Sequence, residues 1–167
     1  MIDSTNISLI GMPGVGKSTI GVLLAKALTW NFLDTDVLIQ VAEERPLHEI
    51  IYTEGIERLA RIEQRHVVAL DRRQHVIAVG SSAIYGPAAM QRLRALGVVV
   101  HLDLPLFALE ERLARLNGRG RFMAPGQTLH GLFQHRRPLY QQYADLTIDC
   151  ADRTQEQIVD EIIARLS

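Results

Sequence analysis

The sequence predicts an α/β domain built on a mostly parallel five-stranded sheet, and three observations carry that prediction. Short apolar runs alternate with longer stretches of helical period along the chain. A glycine-rich turn separates the first apolar run from the first helical stretch. No repeat, low-complexity tract or Pro/Gly/Ser linker divides the 167 residues, a length that suits one domain with a real core, so residues 1–167 are read as a single unit.

Taken in order, Ile7–Ile10 reads as a strand and Gly16–Leu28 as a helix with Ile20, Leu23, Leu24, Ala27 and Leu28 on one face. Further strands are expected at Phe32–Leu33, His75–Val79, Gly97–Leu102 and Ala144–Asp149. The stretches between them read as helices, several opened by Pro46, Pro87 and Pro105. Strands joined by helical crossovers imply parallel pairing. Between two helical patterns, residues 117–126 hold glycines, arginines and a proline, and read as a mobile loop.

Composition narrows the function classes. A net charge of -1 gives no electrostatic footprint for nucleic acid. No apolar run approaches the roughly 18 residues needed to span a bilayer, so no membrane segment is expected. The lone Cys150 cannot form an internal disulfide, and no basic-then-apolar leader precedes the first motif, which makes the cytoplasm the expected location. Six histidines show no metal-ligand spacing, so no zinc site is expected. Cys150 is expected to be packed rather than reactive.

The segment Gly11-Met12-Pro13-Gly14-Val15-Gly16-Lys17-Ser18 fits the phosphate-loop pattern G-x-x-x-x-G-K-[ST], and it lies after a strand and opens a helix, where the mechanism needs it. Glycines let the backbone turn so that N–H groups face phosphate oxygens, and the helix N-terminus favours negative charge. Gly11, Gly14, Val15, Gly16, Lys17, Ser18 and Thr19 are the expected ATP-binding set. Lys17 is expected to reach the β- and γ-phosphates, and Ser18 the Mg2+ ion. After the second strand, Asp34 and Asp36 bring two carboxylates toward the phosphates. One could serve Mg2+ and the other a substrate hydroxyl; both could equally be helix-capping acids.

These motifs, with Leu33-Asp34-Thr35-Asp36 and Arg136-Arg137-Pro138-Leu139-Tyr140 followed by Ala144-Asp145, resemble the shikimate kinase family over most of the chain. The resemblance implies a three-layer α/β/α P-loop NTPase fold of the nucleoside-monophosphate-kinase type, with strand order 2-3-1-4-5. It also implies a substrate-binding subdomain at about 34–65 and a lid at about 117–127. By similarity, Ser18 and Asp34 organise Mg2+, Asp36 holds and assists the acceptor hydroxyl, and Arg136 binds the acceptor carboxylate. Arg115 resembles the arginine that stacks on adenine. Arg121, with Arg119 competing, matches the lid arginine that stabilises the transferring phosphoryl group.

The acceptor side departs from the family pattern. Where the family shows Phe-Arg-x-x-Glu, this chain has Leu59-Ala60-Arg61-Ile62-Glu63, so the arginine position is Ala60. Its neighbours Arg58 and Arg61 point about 100° or more away on a helix. The family's Gly-Gly-Gly reads Gly80-Ser81-Ser82, which places two side chains at the expected substrate edge. The lid reads Arg121-Phe122-Met123-Ala124 in place of Arg-Pro-Leu-Leu. The leading expectation is a monomeric ATP- and Mg2+-dependent kinase acting on a hydroxyl of a small hydroxylated acid, shikimate or a shikimate-like metabolite. The rivals are a gluconate-type kinase and a non-catalytic ATP-binding regulatory module.

Overall fold

The computed structural model describes residues 6–116 and 126–167. Five strands, β1 (Asn6–Ile10), β2 (Asn31–Asp34), β3 (His75–Ala78), β4 (Val98–Asp103) and β5 (Leu146–Asp149), form one parallel sheet in the order β2-β3-β1-β4-β5. The helices are α1 (Lys17–Leu28), α2 (Thr35–Glu43), α3 (Leu47–Glu54), α4 (Ile56–Val68), α5 (Pro87–Leu96), α6 (Leu106–Arg115), α7 (Leu129–Tyr143) and α8 (Gln155–Leu166), with a 3-10 turn at Ala83–Tyr85. Helical crossovers join the parallel strands, with α1 packed on α8 and α4 packed on α5. The expected α/β/α layering and strand order are therefore present.

Covered on both faces, the central strand is buried at every residue, with Ile7, Leu9 and Ile10 apolar and Asn6 and Ser8 polar. Asn6 at its start is the informative one of the two polar residues. Its Nδ2 donates to the carbonyls of Arg72 (2.6 Å) and Leu96 (3.1 Å), and its Oδ1 accepts from the His75 amide (3.0 Å), which ties β1 to β3 with every polar atom satisfied.

Several expected bounds shift. The buried stripe of α1 is Ile20, Gly21, Leu24 and Ala25; Ala27, expected on that face, is exposed. Gly16 is the N-cap of α1 rather than its first residue, with φ of 100° that a side chain would resist. β3 stops at Ala78, β4 begins at Val98 and extends to Asp103, and β5 begins only at Leu146. Pro46 and Pro105 are N-caps, while Pro87 is the first residue of α5. The lid expectation, with Arg119 and Arg121, lies outside the described residues apart from Gly126 and Gln127.

Two cores result. The large one lies on both sides of the sheet. A small separate cluster of Ile39, Leu47, Ile50, Leu59 and Ile62 fastens α2, α3 and α4 to one another. The C-terminal ends of the strands share one edge, the place where open α/β sheets bind ligands, and the turns after β1, β2 and β3 supply the phosphate loop, Asp34 and Gly80 there.

Candidate active site

Three parts of the site follow strand ends, and α4 and α7 add Glu63 and Arg136. After β1 the chain turns through residues 11–16 into α1, and the turn is held by the Val15 amide donating to the Met12 carbonyl (3.2 Å) and by Arg112 of α6 donating to the Val15 carbonyl (3.0 Å). Lys17 folds over this turn and donates to the carbonyls of Gly11 (2.9 Å) and Met12 (3.0 Å). Burial pushes its ammonium down to about 8, against the opposing attraction of Asp36 and Asp34.

After β2, Asp34 does two things. Its Oδ1 caps α2 by accepting from the amides of Asp36 (2.9 Å) and Val37 (3.4 Å), while its Oδ2 accepts from the Ser18 hydroxyl (2.6 Å). Capping and service to the phosphate loop are thus both present in one residue. Asp36 lies mostly out of solvent, and burial first, then the neighbouring Asp34, raises its pKa. Gly14, Gly16, Lys17, Ser18, Thr19 and Asp36 line one cleft, which Ser81 joins from the end of β3.

After β3 comes Gly80-Ser81-Ser82. The Gly80 amide donates to Thr35 Oγ1 (2.8 Å), and a Cβ on Gly80 would lie 2.0 Å from Glu63 Oε1 and 3.0 Å from Asp36 Oδ1, so only glycine fits. Both serine hydroxyls are engaged. Ser82 Oγ donates to Glu63 Oε2, and Ser81 Oγ accepts from Arg136 Nη1 (2.9 Å). Arg136 comes from α7, which runs through Pro138; the proline frees the carbonyl of exposed Gln134, and water can serve it. Leu132, Arg136 and Tyr140 form the buried face of that helix. Arg136 is 4 % exposed, its Nε donates to the Tyr85 hydroxyl (3.1 Å), and the Tyr85 ring lies 5.3 Å from its guanidinium carbon. Tyr140 donates to the Ser81 carbonyl (2.7 Å), fixing the same turn from below.

Glu63 of α4 is 3 % exposed, and burial pushes its carboxyl up to about 7 despite the Ser82 hydrogen bond. Asp36, Glu63, Gly80, Ser81, Ser82 and Arg136 line a second pocket beside the first. A third cleft, between α6 and the start of α8, is lined by Arg112, Arg115, Asp152 and Arg153. Arg115 is thus placed away from the phosphate loop itself, largely in solvent and 3.9 Å from Glu111. Cys150 is buried at the floor of that cleft, and burial pushes its thiol up to about 12, an unreactive group.

A family model described as shikimate kinase matches residues 13–167. The shikimate kinase of Synechococcus sp. is 37% identical over 99% of this chain and 86% of its own length, and that of Caldanaerobacter subterraneus 32% identical over 95% and 94%. The chain belongs to the shikimate kinase family. Among solved structures, the shikimate kinase of Acinetobacter baumannii in complex with shikimate superposes with a TM-score of 0.88 at 28% identity, covering 99% of this chain and 94% of that one. Membership makes the chain an ATP-dependent small-molecule kinase, and the regulatory-module reading falls away. A gluconokinase from Sinorhizobium meliloti, at 23% identity and a TM-score of 0.54, shares the fold alone.

As a member of the shikimate kinase family, this chain has an unusual acceptor side. Neither neighbour of Ala60 takes over the family's arginine: Arg58 pairs with Glu54 (3.0 Å) on the outer surface, and Arg61 is exposed. From α4, Ile56, Leu59 and Glu63 line the pocket wall. Sequence reasoning missed Tyr85, which orients Arg136 from the 3-10 turn, and Arg153, which lines the third cleft. It also missed the pair of Asp103 with Arg137, two parallel hydrogen bonds of 3.1 and 2.7 Å that anchor α7 to the end of β4. An acid closing the fourth strand was the available signal for that last contact.

Proposed function

We propose that this protein transfers the γ-phosphoryl group of ATP, with Mg2+, to a hydroxyl of a small hydroxylated carboxylic acid of the shikimate type. The observation that carries the reading is the position of Asp36: it belongs at once to the wall of the phosphate-loop cleft and to that of the pocket holding Arg136. A hydroxyl resting on Asp36 therefore faces the phosphates from the side on which the acceptor is anchored.

The roles follow from the chemistry of each group. The N–H groups of the loop between Gly11 and Thr19 cradle the phosphates, and Lys17 exchanges its carbonyl partners for phosphate oxygens. Ser18 and Asp34 present two hard oxygen donors 2.6 Å apart at the loop mouth, a set that fits Mg2+, and they would hold it. When bound, the ion supplies charge neutralisation on the phosphates. Arg136 binds the acceptor carboxylate. The acceptor oxygen bonds to the γ-phosphorus as the bond to the β–γ bridging oxygen breaks, the hydroxyl proton passes to Asp36, and ADP leaves. The raised pKa of Asp36 favours that proton transfer. Arg115 and Arg153 flank the adenine, and Arg121, with Arg119 as the alternative, is assigned charge stabilisation of the transferring phosphoryl group. The residues at about 34–65 form the acceptor-binding subdomain, and the protein acts as a cytoplasmic monomer.

Coupled ADP release across hydroxylated acids tests the reading. Turnover is expected with at least one of them, and Asp36→Asn should lower kcat by about 10²–10⁴-fold. The absence of ADP release with every hydroxylated acid, aminated or not, overturns it. Light scattering at a mass near 18.7 kDa checks the monomer.

A further inference from the structure

Two departures on the acceptor side, at position 60 and at positions 81 and 82, meet in one pocket. Positions 56, 59, 60 and 63 of α4 are spaced three and four apart and so share a helix face. Ile56, Leu59 and Glu63 line the pocket that holds Arg136. An arginine at position 60, as in the family pattern, would stand on that face three residues before Glu63, within reach of its carboxylate and of the pocket. An alanine methyl donates to neither. The charge is not replaced, since Arg58 pairs with Glu54 and Arg61 is exposed. The hydrogen bonds are. Glu63 Oε2 accepts from the hydroxyl of Ser82, a residue that stands where the family has glycine.

Ser81 is placed to supply the other contact. It lines both the phosphate-loop cleft and the pocket of Arg136. Its Oγ accepts from Arg136 Nη1 (2.9 Å), which turns its own proton away from the guanidinium, and among the described residues nothing accepts that proton. The turn that carries it is held from two sides, by Tyr140 donating to the Ser81 carbonyl (2.7 Å) and by the Gly80 amide donating to Thr35 Oγ1 (2.8 Å). Arg136 uses its Nε on Tyr85 and one Nη1 proton on Ser81, so its remaining N–H groups are left for an anion. A carboxylate placed on them meets a second donor 2.9 Å from Nη1, and its two oxygens can be shared between guanidinium and hydroxyl. A donor fixed before the ligand arrives adds little ordering cost to binding.

We propose that Ser81 is a specificity-determining residue: its hydroxyl and Arg136 together seat the acceptor carboxylate while Ser82 holds Glu63, so that two serines divide the hydrogen bonds of the arginine absent at position 60. The inference rests on the phosphotransfer reading above, in which Arg136 binds that carboxylate, and adds a residue to the same site.

The test compares ADP release with shikimate and with its methyl ester, which keeps the hydroxyls but carries no negative charge. Neither serine has a positive φ, so alanine keeps the backbone of the turn. Ser81→Ala is expected to raise KM for shikimate roughly tenfold or more, the scale of a hydrogen bond to a charged group, and to change kcat/KM for the ester by no more than about threefold. Its kcat with shikimate and its KM for ATP should stay near the parent's. Ser81→Gly with Ser82→Gly should raise the shikimate KM as well, and adding Ala60→Arg, which restores the family pattern, should bring it back to within about threefold of the parent. An unchanged shikimate KM in Ser81→Ala, or an equal loss for acid and ester, overturns the inference and leaves the kinase reading standing. A loss confined to kcat or to ATP affinity puts the hydroxyl on the phosphates and overturns it too. Failure of Ala60→Arg to restore the double-glycine variant overturns the exchange between arginine and serines. No ADP release with shikimate in the parent enzyme takes down the acceptor reading on which the inference stands.

Discussion

Glu63 shows how a single buried group can cost stability. Desolvation raises its pKa from 4.5 to about 7, Asp36 adds to the rise, and Ser82, Arg136 and Lys17 oppose it. The unfolded chain releases the proton near 4.5, whereas the native protein keeps it until about 7. Across that window the unfolded state binds fewer protons, so native stability falls as pH rises, and above about 7 the loss is complete. A shift of this size corresponds to about 3 kcal/mol. Glu63→Gln keeps the shape without the ionisation, so urea unfolding should show a variant more stable than the parent at pH 8 by up to about 3 kcal/mol. The same variant should lose the decline between pH 4.5 and 7, and superimposable pH profiles would refute the account. Tyr85 acts differently. Tyr85→Phe retains the ring against the guanidinium but deprives Arg136 Nε of its acceptor, a change worth about 1–3 kcal/mol for a buried group. The expected readout is an acceptor KM raised several-fold or more with kcat little altered.

At the scale of the elements, the strands and the helix starts were legible in the sequence because their determinants are local. The fully buried β1, the glycine turn after it and the prolines opening α3, α5 and α6 each act within a few residues. Faces were less legible. Ala25 rather than Ala27 meets the core, in a stripe with Ile20, Gly21 and Leu24, because packing against the neighbouring elements decides between two small residues at the stripe's edge. The interior of α7 was not legible either, since Pro138 within a helix is tolerated only because the freed carbonyl is in solvent and α7 is anchored by Arg137 on Asp103. Gly80 stands between these cases. Sequence marked it as a close approach; the packing partner, Glu63 Oε1 at 2.0 Å from a would-be Cβ, belongs to another helix. Gly80→Ala must push Glu63 and Asp36 aside, at about 1–3 kcal/mol of overpacking. Denaturation should register that loss, and the acceptor KM should rise while nucleotide affinity holds; an acceptor KM equal to the parent's would contradict it.

For the whole molecule, the two halves of the site differ in how they are encoded. The phosphate loop of the nucleotide half is one contiguous run from Gly11 to Thr19, whose residues contact one another and can be read as a string. The acceptor half is assembled from α2, α4, the turn after β3 and α7, and its decisive contacts join Ser82 to Glu63 and Arg136 to Ser81 across long stretches of chain. Ala60 and the two serines were visible as departures; that nothing replaces the missing cation required the fold. This division has a measurable consequence. A nonreactive ATP analogue with Mg2+ binds the native state through the first half alone, so at about 100 times its Kd it should add about 2.7 kcal/mol of stability. For a domain of this size that is a rise in Tm of about 5–11 °C. Lys17→Ala should abolish the rise, because its ammonium is the cation reaching the loop carbonyls over which the phosphates lie. Glu63→Gln and Tyr85→Phe should preserve it in full, since neither residue lines the phosphate cleft. A nucleotide-induced shift that shrinks in those two variants would show that the halves are not independent and that the acceptor pocket is built only when the nucleotide is bound.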